Sequence, residues 1–157
     1  MHEQHPIEFI SYEASFHADL KRLSLEWLEK YVSVEPEDLK FINDPQGYVL
    51  DQGGYIYLAR FNGEIVGTVS LCKVNDAEYE LAKLAVTEKY KGLKLGKQLM
   101  QLAIDKCREI GAKRVVLYTA KKLEAAYNLY LKFGFVELEG AKQKYEEADV
   151  KMVLELG

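Results

Sequence analysis

Cysteine is scarce in these 157 residues: only Cys72 and Cys107 occur, far apart and without a C-x-x-C spacing. That excludes a disulfide framework and a cysteine-based zinc site. Both thiols are expected to be small buried apolar groups in a reducing compartment. Histidine is equally sparse: His2, His5 and His17 lie near the N-terminus without metal-site spacing, so no metal is expected. No apolar run approaches the roughly 20 residues that cross a bilayer. The opening MHEQHPIEF has neither the basic start nor the apolar stretch of a secretory signal. The expectation is a soluble, unexported, cytoplasmic protein with no membrane partner. Positive charge is in deficit, with 21 Lys and Arg against 25 Asp and Glu and a net charge of −4. A general nucleic-acid binder is therefore not expected, because phosphate-backbone affinity depends on many cations presented together. Internal repeats and low-complexity linkers are absent as well. One domain spanning 1–157 is the expected organisation.

What is present alternates between two periodicities. IEFISY (7–12) reads as a short strand, and Ser15 as the N-cap of a helix with Leu20, Leu23, Trp27 and Tyr31 on one face. Pro36 suits the first turn of a second helix, EPEDLKFI, which Asp44-Pro45 terminates. YIYLARF and EIVGTVSLCKV flank Asn62-Gly63, a strong hairpin signal, and the second strand sets Ile65, Gly67, Val69 and Leu71 against Val66, Thr68 and Ser70. In YELAKLAV (79–86), Glu80, Ala82, Leu84 and Val86 fall on one face, with Tyr79, Leu81, Lys83 and Ala85 on the other. A helix carrying Leu95, Leu99, Leu102, Ala103 and Ile110 stops at Gly111. RVVLYT (114–119) then reads as a strand buried on both faces. Strand, helix, strand with short connections predicts a right-handed βαβ unit with parallel strands. Leu123, Ala126, Tyr127, Tyr130 and Leu131 form another helical stripe ending at Gly134, and FVELEG and VKMVLEL supply two last strands. The predicted order is β-α-α-β-β-β-α-β-α-β-β: an α/β (α+β) domain with a mixed, mostly antiparallel sheet of six to seven strands and helices on both faces.

The stretch EKYKGLKLGKQLM (88–100) stands out in an acidic chain, because Lys89, Lys91, Lys94 and Lys97 fall within nine residues together with Gly92 and Gly96. A loop leaving the first strand of a βαβ unit delivers backbone N–H groups to a helix N-terminus, where unpaired donors and the helix dipole favour an anion. A P-loop would need Ser or Thr after Gly96-Lys97, where Gln98 stands, and the dinucleotide fingerprint GxGxxG is absent. On spacing alone, a phosphate cradle and a glycine turn with solvated lysines fit equally well.

The wider stretch ELAKLAVTEKYKGLKLGKQLM resembles the signature segment of the GNAT superfamily of acyl-CoA-dependent N-acyltransferases, with its pyrophosphate loop Arg/Gln-x-x-Gly-x-Gly/Ala directly after a strand. AAYNLYLKFGFVEL resembles that family's second hallmark, A-x-x-LY-x-K-x-GF, about thirty residues on. The resemblance covers Tyr55 to roughly Gly140. It implies that acyl-CoA, most often acetyl-CoA, lies where two parallel strands splay apart. Leu84, Ala85 and Val86 would pair with the pantetheine arm, and Lys91, Gly92, Leu93, Lys94, Leu95, Gly96 and Lys97 would cradle the pyrophosphate. Ala126 and Asn128 are further implied cofactor contacts. Two departures mark the chain: Lys94 stands where the first glycine of the pair is usual, and Ala120 where an Asn often stands. If the backbone at Lys94 is left-handed, the lysine costs about 1 kcal/mol.

In the family a neutral amine attacks the thioester directly in a ternary complex, a backbone N–H stabilises the oxyanion, and an acid protonates the departing thiolate. Tyr130 matches the usual acid, although an aromatic on a helical stripe is also ordinary core. Glu80 matches an acidic position used as base, although a solvated sheet-face glutamate reads the same way. The resemblance thus implies an N-acetyltransferase acting on a primary amine of a small molecule or a protein. A non-catalytic acyl-CoA-binding sensor is the alternative that the two departures keep open. A homodimer through the C-terminal strands would be ordinary for the class. Glu26, Glu29, Glu35, Glu37, Asp38, Asp44 and Asp51 make the N-terminal third acidic, which either attracts a cationic amine or is simply a set of solvated helix faces.

Overall fold

A computed structural model describes residues 6–157, the side chains of residues 91–93 excepted. Strand β1 (Glu8–Ser11) is followed by helices α1 (His17–Tyr31), α2 (Pro36–Asn43) and the single turn α3 (Pro45–Tyr48), then by β2 (Tyr55–Phe61), β3 (Glu64–Lys73) and β4 (Glu78–Val86). Helix α4 (Leu95–Glu109), β5 (Arg114–Thr119), α5 (Glu124–Lys132), β6 (Val136–Glu137) and β7 (Val150–Glu155) complete the chain. The seven strands form one sheet in the order β1-β2-β3-β4-β5-β7-β6. Among the described residues only β4 and β5 pair in parallel; every other neighbouring pair is antiparallel.

Two cores fill the faces of the sheet. Helix α4 inserts Leu99, Met100, Ala103, Ile104 and Cys107 against Val69, Leu71, Leu81, Val115 and Met152, and α5 packs on the same side through Tyr127, Leu129 and Tyr130. On the opposite face Leu20, Leu23 and Leu28 of α1 and Phe41 and Ile42 of α2 cover Ile56, Leu58, Cys72, Ala82 and Ala85. Both cysteines are buried and free. Truncating a fully buried side chain such as Leu99 to Ala is expected to cost about 2–5 kcal/mol.

Several local expectations hold for their stated reasons. Asn62 and Gly63 take φ of 53° and 75°, as a two-residue type I′ hairpin requires. Pro36 opens α2 within a capping box in which the Glu35 side chain accepts from the N3 backbone and the Glu35 N–H donates to Asp38 Oδ2 at 2.8 Å.

Others are corrected. Ser15 caps nothing: residues Ala14–Phe16 form a 3₁₀ turn, and α1 starts at His17 without a side-chain cap bond. The FVELEG strand shrinks to Val136–Glu137. The face assignments of β3 and β4 fail beyond a point in each strand, because each carries a bulge. The β2–β3 register shifts beside Ala59/Arg60, so Ile65 joins the α1 face while Val69 and Leu71 face α4. In β4 the register shifts opposite Thr68–Ser70, where Lys83 has φ 53°. An extra residue inverts the in–out alternation beyond it. Consequently Leu84 and Val86 join Tyr79 and Leu81 on the α4 face, while Glu80, Ala82, Lys83 and Ala85 look toward α1 and α2.

Candidate functional site

The parallel ladder between β4 and β5 is short. It pairs Glu78, Tyr79 and Glu80 with Arg114, Val115 and Val116 and goes no further. Beyond it the strands diverge, leaving the β5-facing edge of Leu81–Val86 without a strand partner among the described residues, and an open-sided cavity lies in the wedge. Both diverging strands line it, through Leu84 and Ala85 on one side and Leu117 and Thr119 on the other. Trp27 of α1 and Tyr130 of α5 also line it. At the bulge Lys83 and Leu84 have no register partner in β3, and an open strand edge can accept an extended ligand as an added strand.

Just past the β4 edge, a 3₁₀ segment (Glu88–Leu93) leads into α4. Lys94 is the N-cap residue, and its φ 57° and ψ 30° are left-handed. Among the described residues no side chain caps the helix, and Gln98 N–H donates to Lys94 O at 3.2 Å. The N–H groups of Leu95, Gly96 and Lys97 therefore have no partner inside the helix. A Cβ built on Gly96 would meet nothing within 4 Å, so space over the helix terminus is open. Lys94 and Lys97 are exposed and have no ion-pair partner among the described residues. Acidic groups near the loop are already engaged. Glu26 Oε1 of α1 accepts the Glu88 N–H at 3.0 Å and the Thr87 hydroxyl at 3.2 Å; the Glu88 carboxylate pairs with Lys30 at 3.0 Å and accepts the Tyr31 hydroxyl at 2.8 Å. These contacts fix the start of the loop to α1.

A dense polar cluster borders the cavity on the α1/α2 side. Lys83 is ion-paired with Asp38 and lies 4.9 Å from the Tyr145 ring centroid and 5.6 Å from that of Phe41. Lys144, from the segment between β6 and β7, places Nζ 2.6 Å from Glu80 Oε1 and lies 5.7 Å from the Tyr48 ring and 5.6 Å from the Tyr145 ring. Tyr48 donates its hydroxyl to Glu37. Burial alone would favour a neutral Lys144 amine, but the Glu80 charge and hydrogen bond outweigh it and raise the pKa. Burial, reinforced by Glu80, pushes the Tyr145 phenol far above its ordinary range. Burial and the Glu37 bond do the same for Tyr48, and the Tyr48 bond in turn lowers Glu37. Burial pushes the Cys72 thiol up to about 12, with Glu80 adding to it.

Of the residues singled out from sequence, Leu84, Ala85, Tyr130, Glu80 and Ala120 line the cavity. Val86 lies on the same open edge, outside the lining. Tyr130 is part-buried, its ring meets Phe135 at 6.2 Å, and burial pushes its phenol up to about 12. Glu80 is buried, so it is not a solvated sheet-face glutamate, and it does not share a face with Leu84 and Val86. Ala126 and Asn128 lie on α5 outside the lining, Asn128 being exposed. The side chains of Lys91, Gly92 and Leu93 lie outside the described residues, as do His2 and His5. His17 bonds the Ile42 carbonyl through Nε2 at 2.8 Å, a fold contact. Among the described residues no three His, Cys, Asp or Glu side chains are placed to hold a metal, and no helix is long and apolar enough to cross a membrane.

Sequence reasoning missed Ser24, Lys83, Lys144 and Tyr145. Ser24 lies on the buried side of α1, a bulge turns Lys83, and the long segment between β6 and β7, whose QKYEEAD carries no periodic signal, brings Lys144 and Tyr145 to the wedge.

Comparison with known proteins matches this geometry. The model of the Acetyltransferase (GNAT) family matches residues 18–135. A Xenopus tropicalis protein named "Probable N-acetyltransferase camello" is 35% identical over 92 residues, which are 57% of this chain and 42% of the frog protein. The chain thus spans less than half the length of that relative. A GNAT-family acetyltransferase of Staphylococcus aureus Mu50 superposes with a TM-score of 0.86 at 26% identity, covering 97% of this chain and 100% of that one. A GNAT-family acetyltransferase of Elizabethkingia anophelis with acetyl-CoA bound has a TM-score of 0.63 at 23% identity over 96% of this chain and 98% of that one, a likeness of fold.

Proposed function

The chain belongs to the acetyltransferase (GNAT) family, and from that premise we propose that residues 1–157 form one N-acetyltransferase domain that moves an acetyl group from acetyl-CoA to a primary amine by direct attack in a ternary complex. The observation that carries the reading is the adjacency of two features: an unpaired strand edge beside a cavity, and an uncapped helix terminus with open space over Gly96. Together they fit an extended arm ending in a pyrophosphate.

Acetyl-CoA is the co-substrate and supplies the activated thioester. The N–H groups of Leu95, Gly96 and Lys97 would hold its phosphates, with Lys94 and Lys97 adding charge. The open edge at Leu84–Val86 would take the pantetheine arm and offer an N–H to the acyl oxygen in the transition state. An amine arriving as an ammonium sheds two protons in all. Glu80 receives the first, which leaves a neutral nitrogen to form the C–N bond as the C–S bond breaks. Of the two protons, one finishes on the CoA thiol and one in solvent. Tyr130 sits at the wedge as a hydrogen-bond donor to the departing sulfur. With its phenol near 12, above a thiol near 8.5, it stabilises the thiolate without surrendering its proton in advance.

The test is release of free CoA thiol across a panel of amines, compared with Tyr130→Phe. The expected result is a fall in kcat of about tenfold or more with acetyl-CoA binding retained. Acetyl-CoA binding without turnover on any amine would favour the non-catalytic sensor instead.

A further inference from the structure

Four carboxylates line the cavity, those of Glu35, Asp38, Glu80 and Glu147, against one cation, Lys83. The excess is negative, as a cationic acceptor requires. Yet each carboxylate is occupied by the chain itself. Glu35 accepts the N–H groups of Glu146 and Glu147, Glu147 bonds Ser33 and Lys122, Asp38 holds Lys83, and Glu80 holds Lys144. An incoming ammonium can gain a carboxylate only where a resident group yields.

The two lysines differ in how firmly they are placed. Lys83 sits in the bulge of a central strand, 8% exposed, against a partner 4% exposed. Lys144 is 26% exposed and belongs to a connection between β6 and β7 that carries neither helix nor strand. That connection reaches the α1/α2 side through exposed bonds to Glu35 and Ser33, the kind of contact that opens at small cost. What Lys144 occupies is a complete ammonium site: a buried carboxylate at 2.6 Å and the rings of Tyr48 and Tyr145 at 5.7 and 5.6 Å. A second, independent sign of a missing ligand lies in the same wall. Ser24, 1% exposed, lines the cavity, and its hydroxyl has no hydrogen-bond partner among the described residues.

We propose that the acceptor is the end of a linear primary alkylamine, such as a lysine side chain or an α,ω-diamine, and that it binds by displacing Lys144 from Glu80. Lys144 is an internal stand-in for that acceptor, with the same ammonium on the same unbranched stem. The Tyr48 and Tyr145 rings select an alkylammonium, and the Ser24 hydroxyl receives a polar group further along the acceptor. This rests on the acetyltransferase reading above and names its substrate class.

The experiment uses Lys144→Ala, whose missing atoms correspond to n-propylamine. Thermal shift is recorded with n-propylammonium, 1,5-diaminopentane and, as a neutral control, n-propanol; CoA-thiol release is then followed with linear amines, α-amino acid amides and aromatic amines. The expected result is saturable stabilisation of Lys144→Ala by both ammonium compounds and not by propanol. That stabilisation should weaken at least tenfold when Glu80→Gln is added. KM for 1,5-diaminopentane should fall in Lys144→Ala relative to wild type, because an internal competitor has gone. Turnover of α-amino acid amides or aromatic amines, with linear amines neither binding nor reacting, would overturn this proposal and leave the acetyltransferase reading intact. Failure of acetyl-CoA itself to bind would remove both.

Discussion

Gly96→Ala separates the two readings that spacing left equal, because they predict opposite outcomes. Gly96 is the second residue of α4, with helical backbone, and an added Cβ meets nothing within 4 Å. If the glycine were only a turn residue, alanine would be neutral or better. Replacing a helical glycine with alanine gains at most about 1 kcal/mol in a helix interior and about half that in a first turn. For a chain of this size that raises Tm by about 1–2 °C. If instead the empty space receives a pyrophosphate, the methyl occupies ligand volume. Acetyl-CoA at one hundred times its Kd stabilises the wild type by about 2.7 kcal/mol, or about 5–11 °C. A thirtyfold loss of affinity at the same concentration leaves under about 1 kcal/mol. The assay is a thermal melt of both proteins with and without acetyl-CoA. The predicted signature is a slightly higher unliganded Tm together with a shift cut by more than half. An undiminished shift would refute the cradle, and a lowered unliganded Tm would refute the open space over Gly96.

Lys94→Gly should stabilise the unliganded protein by about 1 kcal/mol, because glycine adopts the left-handed N-cap conformation without the Cβ penalty; an unchanged or lower Tm would contradict this. Removing Asp38 strands Lys83 in a buried site, so Asp38→Ala should cost about 3–5 kcal/mol in urea unfolding. Alkaline pH should erode stability. Cys72, Cys107 and Tyr130 are raised from 9.0, 9.0 and 10.0 to about 12, 11 and 12. The unfolded chain therefore loses these protons first, and their contribution, complete below about pH 9, declines as pH rises toward 12; a flat urea midpoint from pH 8 to 11 would refute it. The same burial predicts that neither thiol reacts with a thiol-specific disulfide reagent at pH 8 until the protein unfolds.

Much of the fold was legible because it rests on local chemistry. Apolar spacing at three and four placed α1, α4 and α5, Asn62-Gly63 fixed a hairpin by its positive φ angles, and Pro36 opened α2. The loop before α4 declared itself through lysines and glycines between a strand and an apolar helix. Lys94 could be marked as a departure, but only its φ of 57° showed that the strained conformation is in fact adopted.

The sequence by itself therefore determined the order of the main elements and the parallel pairing of β4 with β5, since each follows from residues close together in the chain, while the candidate cradle before α4 and Tyr130 as a candidate donor followed from the family resemblance. Tertiary structure alone decided that Leu84 and Val86 turn away from the face of Glu80, because one residue inserted at Lys83 inverts the alternation of β4 beyond it. It alone brought Lys144 and Tyr145 to the wedge. Such contacts join residues 64 positions apart, and no local periodicity encodes a pairing that only the closure of a long loop can make.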